Sequence, residues 1–199
     1  MRKSRVEAFS DGVIAIIITI MVLELKVPHG NKFADLLPLW PVFLSYVLSF
    51  IYIGIYWNNH HHMMHAVQHV NGSVLWANSH LLFWLSLVPF ASGWMGENHF
   101  TTLPVAVYGF ILLMNAVAYT ILSKLLIRLH GKHSTLAEAV GSDRKGKLSL
   151  VIYVVSMLLC FVHPLLAFLG YVLVAVMWFV PDLRIEKKLA QHPEEVSEL

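Results

Sequence analysis

Residues 36–96 read LLPLWPVFLSYVLSFIYIGIYWNNHHHMMHAVQHVNGSVLWANSHLLFWLSLVPFASGWMG. This stretch holds 61 residues and contains no Lys, Arg, Asp or Glu. A membrane-spanning helix needs about 20 consecutive apolar residues, so the stretch is too long for one helix and fits two. The histidine-rich segment from His60 to Gly72 is the predicted break between these two helices.

The composition places the whole chain among membrane proteins. Of its 199 residues, 57% are hydrophobic and 13% are charged, whereas soluble domains have about 45–50% and about 25%. The formal net charge of +2 offers no basic surface for nucleic acid. The single cysteine, Cys160, excludes a disulfide framework and a thiolate metal cluster. We therefore expect a lipid bilayer around the chain and no nucleic-acid partner.

Counting the other charge-free stretches gives six spans. Residues 98–123 predict one more helix, and residues 148–181 predict two short ones, because the proline of His163-Pro164 cannot continue a helix. With the N-terminal segment, the predicted fold is an all-α membrane protein, and residues 1–199 form a single six-helix transmembrane domain. The predicted helices cover, in chain order, about 5–26, 38–63, 73–95, 102–127, 148–162 and 164–181.

The distribution of Lys and Arg predicts the orientation. With six spans and a cytoplasmic N-terminus, twelve of these residues fall in inner segments, and only Lys26 and Lys32 fall outside. Cytoplasmic loops carry the excess of positive charge. We therefore predict a multi-pass protein of the cell inner (plasma) membrane with both termini cytoplasmic.

The first helix differs from the others because it is β-branched and carries Ser10 and Asp11 well inside its polar end. At about 100° per residue, Ile16, Ile20 and Leu23 form one apolar stripe, and the two polar residues point away from it. Such a stripe is either an ordinary packing or lipid face, or the lining of a pore with a hydrophobic gate. A pore would require several copies, because one helix cannot surround an axis.

The start of this helix, Arg5-x-x-x-Phe9-Ser10-Asp11, resembles the signature of the transmembrane protein 175 potassium-channel family. The resemblance covers the whole chain and is close to the short bacterial members. It includes the six spans, the Trp57-x-x-x-His61 pair late in the second helix, and Trp178-x-x-Pro181-Asp182 at the end of the sixth.

This resemblance implies a homotetrameric, potassium-permeable channel with a central pore lined by the four first helices. Ile16 would then be the narrowest point, and Ile20 and Leu23 would form the next apolar rings. The Thr19 hydroxyl either contacts a partly dehydrated cation or donates a hydrogen bond to the Ala15 carbonyl. The family's polar network between helices corresponds to Arg5, Ser10, Asp11, Trp57 and His61, with Phe9 as the remaining signature residue.

The permeation chemistry is predicted to be of the leak type. The chain has no Thr-Val-Gly-Tyr-Gly loop, so it lacks the carbonyl filter of ordinary potassium channels. Pore width, dehydration at apolar rings and Thr19 must then supply a weak preference for potassium over sodium. We find no nucleophile, base and oxyanion set for an enzyme, and we expect no cofactor, with potassium only as the permeant ion.

Three other functions remain open at this stage. Asp11 would serve a proton- or cation-coupled secondary transporter as its ion site. His61 and His65 share a helix face and would suit a histidine-metal membrane enzyme, although we expect no metal site. A membrane scaffold without transport activity is the third possibility.

Overall fold

The computed structural model describes residues 3–131, 133–141 and 143–179. All regular elements in these ranges are helical, which confirms the predicted all-α class. They are α1 (Ser4–Leu23), α2 (Trp40–His65), α3 (Gly72–Ser86), α4 (Val88–Glu97), α5 (Thr102–His130), α6 (Thr135–Val140), α7 (Arg144–Cys160) and α8 (Pro164–Phe179). Two short 3-10 turns, Phe33–Asp35 and Leu37–Leu39, precede α2.

Four segments of the described chain are long and apolar enough to cross a membrane. They are Ser4–Leu23, Phe33–His65, Gly72–Glu97 and Thr102–His130, and the apolar helix Pro164–Phe179 is shorter. The chain is therefore a multi-pass membrane protein.

The third predicted segment differs from its expected form. Instead of one helix over about 73–95, the chain forms α3 and α4, separated at Leu87. Pro89 lies in the first turn of α4, where its missing N–H costs nothing, whereas in mid-helix the Leu85 carbonyl would lose its partner. Proline thus starts a new helix here instead of bending one.

Other helix ends also depart from the sequence-based bounds. The first helix ends at Leu23 rather than near residue 26. The polar loop between α5 and α7 contains the unpredicted α6, whose first turn is capped by the Ser134 hydroxyl accepting from the Ala137 N–H. The charged tail after Arg184 lies outside the described residues.

The core of the bundle is built on α2 and α5. Helix α5 packs against α3, α4, α7 and α8, and α2 packs against α1, α4 and α8. Fully buried tyrosines fill the space between them and satisfy their hydroxyls internally. The Tyr52 hydroxyl donates to the Tyr171 carbonyl at 2.5 Å, and the Tyr108 and Ser49 hydroxyls lie 2.9 Å apart.

Helix α1 lies at the edge of this bundle, against α2, α3 and α4. One of its faces is buried there, through Val6, Ser10, Ile14, Ile17 and Met21. The opposite face of α1 is exposed and packs against no other helix of the described residues.

Helices α2 and α4 approach so closely that only glycine fits at position 96. A Cβ added to Gly96 would lie 2.6 Å from the Val42 Cα, which is backbone and cannot rotate away. At Gly54 in α2, an added Cβ would meet nothing within 4 Å.

We expect Gly96→Ala to destabilise the fold by about 1–3 kcal/mol, because α2 and α4 must separate to admit the methyl group. The midpoint of thermal unfolding in detergent measures this loss. Gly54→Ala is the matched control and should leave the midpoint within a degree or two of wild type. Equal midpoints for both variants would show that the close approach at Gly96 does not exist.

Candidate functional site

The exposed face of α1 carries the predicted apolar stripe. Ile16, Ile20 and Leu23 are 58%, 42% and 80% exposed, whereas Ile14 and Ile17 are buried on the other side of the helix. Leaving three large apolar side chains uncovered on one helix requires either lipid or another protein surface against them. The three residues therefore share the unpartnered face of the first helix.

Thr19 lies on the same side of α1 and is exposed. Its hydroxyl donates to the Ile16 carbonyl at 2.9 Å, so the alternative of a bond to the Ala15 carbonyl is wrong. A hydroxyl that donates this way still presents its oxygen lone pairs as acceptors. Thr19 thus offers an oxygen one turn from Ile16.

Asp11, Trp57 and His61 come together where α1 meets α2. The Trp57 indole Nε1–H donates to the Asp11 Oδ1 at 3.0 Å. The His61 ring stacks on Trp57 with centroids 6.1 Å apart, and its Nδ1 lies 3.8 Å from the Glu7 Oε1. The group is only partly covered within one copy, since 45% of Trp57 is exposed.

Ser10 belongs to a second, fully buried network. Its hydroxyl donates to the Val6 carbonyl and accepts from the Asn78 Nδ2 of α3 at 2.9 Å. The Asn78 Oδ1 lies 2.8 Å from the His60 Nε2 of α2. Because this oxygen can only accept, His60 carries its proton on Nε2. Three helices are therefore joined through one amide.

The sequence signal for this second network was incomplete. Asn78 is an uncharged amide in the charge-free stretch, and His60 is one of several histidines at the end of α2, yet both are buried. Helical phase alone does not separate His60 from His61, since residues three and four positions beyond Trp57 both lie on its side of the helix.

Arg5 and Phe9 are not brought into either network within a single copy. Both are exposed, and no hydrogen bond or ion pair joins Arg5 to another described residue. Lys3 is the basic residue that reaches α2, with its Nζ 3.4 Å from the His65 carbonyl. At the far end of the family pattern, Trp178 donates to the Ser149 hydroxyl, while Pro181 and Asp182 lie outside the described residues.

The histidines at the end of α2 stack rather than converge. The rings of His61 and His65 are 6.1 Å apart and nearly parallel. Among the residues that the structure describes, no three His, Cys, Asp or Glu side chains are placed to hold a metal ion. The geometry gives the metal-enzyme alternative no support.

The opposite end of α1 opens onto a groove of about 600 Å³ between α1 and α4. Its walls are mostly apolar and include Ile16 and Ile20, and Glu24 and Glu97 also line it. Glu97 is paired with Lys26, with the Nζ 2.5 Å from the Oε1. The hydrogen bond and the charge of Glu97 both raise the pKa of Lys26.

Comparisons with known proteins show what this chain is similar to. Residues 5–89 match the family model described as the endosomal/lysosomal potassium channel TMEM175. The chain is 56% identical over 192 residues to a potassium channel of Chryseobacterium sp. strain P1-3. The aligned region covers 96% of this chain and all of the relative. It is 35% identical over 125 residues to a potassium channel of Streptomyces collinus, covering 59% and 61% of the two chains.

A solved structure has the same fold. It is a crystal structure of a lysosomal potassium-selective channel TMEM175 homolog from Chamaesiphon minutus. The TM-score is 0.79 at 28% sequence identity, and the match covers 90% of this chain and 97% of the other.

We expect Asn78→Ala to destabilise the protein by about 1–3 kcal/mol, because the buried His60 Nε2–H loses its acceptor and Ser10 loses a donor. Thermal unfolding in detergent measures the effect. Asn58→Ala, at a partly exposed amide of α2 with no described hydrogen bond, is the control and should change stability by less than about 0.5 kcal/mol. A wild-type midpoint for Asn78→Ala would contradict the three-helix network.

Proposed function

The chain belongs to the TMEM175 family of potassium channels, and we propose that four copies of it surround one central pore lined by α1. As a member of a channel family it is not an enzyme, and potassium is the ion that it conducts. The proposal concerns how the pore is built, which residues line it and which residues hold α1 in place.

The uncovered apolar face of α1 is the observation that carries the proposal. One copy leaves Ile16, Ile20 and Leu23 exposed, although the buried face of α1 is fixed against α2, α3 and α4. Cyclic symmetry turns such a face toward a common axis, where it meets its own copies. Each of the three residues then forms a ring of four side chains, and Ile16 forms the narrowest one.

Apolar rings impose a dehydration barrier on every ion that passes. A narrow ring of isoleucine side chains offers no oxygen to replace the water shell of a cation, so a hydrophobic constriction closes by dewetting. Potassium holds its water less tightly than sodium and passes more readily. The Thr19 oxygens, one turn beyond Ile16, supply the polar contact on the far side of that barrier.

The Asp11–Trp57 group and the Ser10–Asn78 network fix the rotation of α1 about its own axis. The Trp57–Asp11 bond fixes α1 to α2, and the Asn78–Ser10 bond fixes it to α3. His61 supports Trp57 by stacking. Arg5 and Phe9, which are uncovered in one copy, are assigned to contacts with the neighbouring copy at the same end of the helix.

The membrane topology follows from the spans and the charges. Four spans come from the long segments, and α7 and α8 complete six as short, tilted spans. Helices of 17 and 16 residues are about 25 Å long, which is shorter than the hydrocarbon core of about 30 Å. Local thinning of the bilayer or flanking anchors accommodate the difference. Both termini then face the cytoplasm of a cell whose inner membrane holds the channel.

Potassium flux into liposomes that carry the purified protein tests the function. We expect uptake driven by a potassium gradient, smaller uptake when sodium replaces potassium, and none in empty liposomes. A stable oligomer without flux would contradict an open leak. Uptake that saturates at low ion concentration and moves protons stoichiometrically would indicate a transporter that uses Asp11.

Ile16→Asn should give a leakier and less selective pore, because four amides remove the dehydration barrier at the narrowest ring. The ratio of potassium to sodium flux measures the change and should fall toward one. Val22→Asn is the control, since Val22 is exposed on α1 but points about 120° from Ile16. An unchanged flux ratio in Ile16→Asn would place the constriction elsewhere.

Asp11→Ala should abolish the tetramer, because Trp57 loses the acceptor that holds α1 in its setting. A hydrogen bond to a charged acceptor contributes about 1.5–3 kcal/mol. Size-exclusion chromatography with light scattering measures the mass of the complex. Asp11→Asn keeps an oxygen for the Trp57 N–H and should remain tetrameric, and a fully assembled, active Asp11→Ala channel would contradict the anchoring role.

A further inference from the structure

The last residue of α5, His130, meets the loop that joins α2 to α3. Its Nε2 lies 3.2 Å from the backbone N of Gln68 and 3.4 Å from that of His69. Its Nδ1 lies 3.0 Å from the Leu126 carbonyl, one turn back in α5. One imidazole ring thus connects the loop to the helix end.

These three contacts are compatible with a single protonation state. The Leu126 carbonyl can only accept, so Nδ1 must carry a hydrogen. The two backbone N–H groups can only donate, so Nε2 must present its lone pair to them. His130 is therefore the neutral Nδ1–H tautomer whenever the loop is docked. A proton on Nε2 would face two other N–H donors, so the hydrogen bonds from the Gln68 and His69 backbone to His130 would both be lost.

Some of the neighbouring groups oppose a positive charge on His130, and others favour it. His69 on the loop places its ring centroid 4.7 Å from that of His130, so protonation of both rings would add repulsion. Arg128 adds positive charge in the last turn of α5, His133 follows that helix in the sequence, and Glu138 lies on α6. The C-terminal dipole of α5 favours a cation, but it does not restore an acceptor to the loop.

We propose that His130 is a proton-sensitive latch, whose neutral imidazole docks the α2–α3 loop and whose protonation loosens that loop. Because the docked state requires the neutral ring, protonation of the imidazole opposes docking, and docking is lost as the pH falls. Histidine is the side chain that proteins use for switches of this kind near physiological pH. Val67 and Val70 are buried, so the loop loosens at its tip and stays attached.

The latch acts on the part of α2 that anchors the pore helix. The loop follows His65 directly, and the His65 carbonyl is the acceptor for Lys3 at the start of α1. His61, one turn earlier, stacks on both His65 and Trp57. In the proposed orientation this end faces the cytoplasm, so the latch responds to cytoplasmic acid.

Hydrogen–deuterium exchange of the full-length protein tests the latch without relying on ion conduction. The Gln68 and His69 amides are followed at pH 8.0 and pH 5.5, with rates corrected for intrinsic exchange. We expect their protection to fall by about tenfold or more at the lower pH, because each hydrogen-bonded amide is freed when its acceptor is protonated. Equal protection at the two pH values in wild type would overturn the proposal.

Two variants identify the group that responds. His130→Gln places a carbonyl oxygen near the position of Nε2 and cannot be protonated in this range, so protection should stay high at both pH values. His69→Gln is the matched control and should keep the wild-type pH dependence. Wild-type pH dependence in His130→Gln, or its loss in His69→Gln, would assign the response to another group and overturn the latch.

Discussion

The hydrogen bond from the Asn78 amide to the Ser10 hydroxyl is the contact on which the arrangement of α1 depends. It lies inside the bundle, where no water competes for either group, so breaking it leaves buried polar atoms without partners. Together with the Trp57–Asp11 bond it defines which side of α1 faces α2 and α3. The opposite side, with Ile16 and Ile20, is then turned outward. A rotation by one residue, about 100°, would bury the apolar stripe and expose Ser10 or Asp11.

In the proposed pore, this separation of polar and apolar faces leaves the apolar side of α1 to line the passage. The polar groups of α1 contribute to attachment, so none of them needs to line the narrow part. What remains is a face of aliphatic side chains with one hydroxyl, Thr19. Discrimination between cations then follows from the unequal free-energy cost of removing their water. This discrimination is weaker than that of a filter whose carbonyl oxygens replace the water shell. Weak selectivity is the expected consequence of this chemistry.

Much of this arrangement could be predicted from the sequence, because helical phase is set by local geometry. The stripe of Ile16, Ile20 and Leu23 is uncovered in the structure, and Asp11 meets Trp57 near His61. The role of His60 could not be predicted, since its burial depends on contacts with other helices, such as the one with Asn78 of α3. The break at Leu87 was missed because proline tolerates both a kink and a first-turn position. Arg5 is without a described partner in one copy, so its predicted place in the network depends on a neighbouring copy.

Block of potassium flux by Cd²⁺ in an Ile16→Cys channel tests the central claim most directly. Thiolates are good ligands for soft metal ions, and a ring of four at the narrowest point should bind Cd²⁺ and stop the flux until a chelator removes the ion. Ile14→Cys, on the buried face of the same helix, and the wild type with its buried Cys160 should continue to conduct. Undiminished flux in Ile16→Cys, or equal block of Ile14→Cys, would contradict a pore lined by this face of α1.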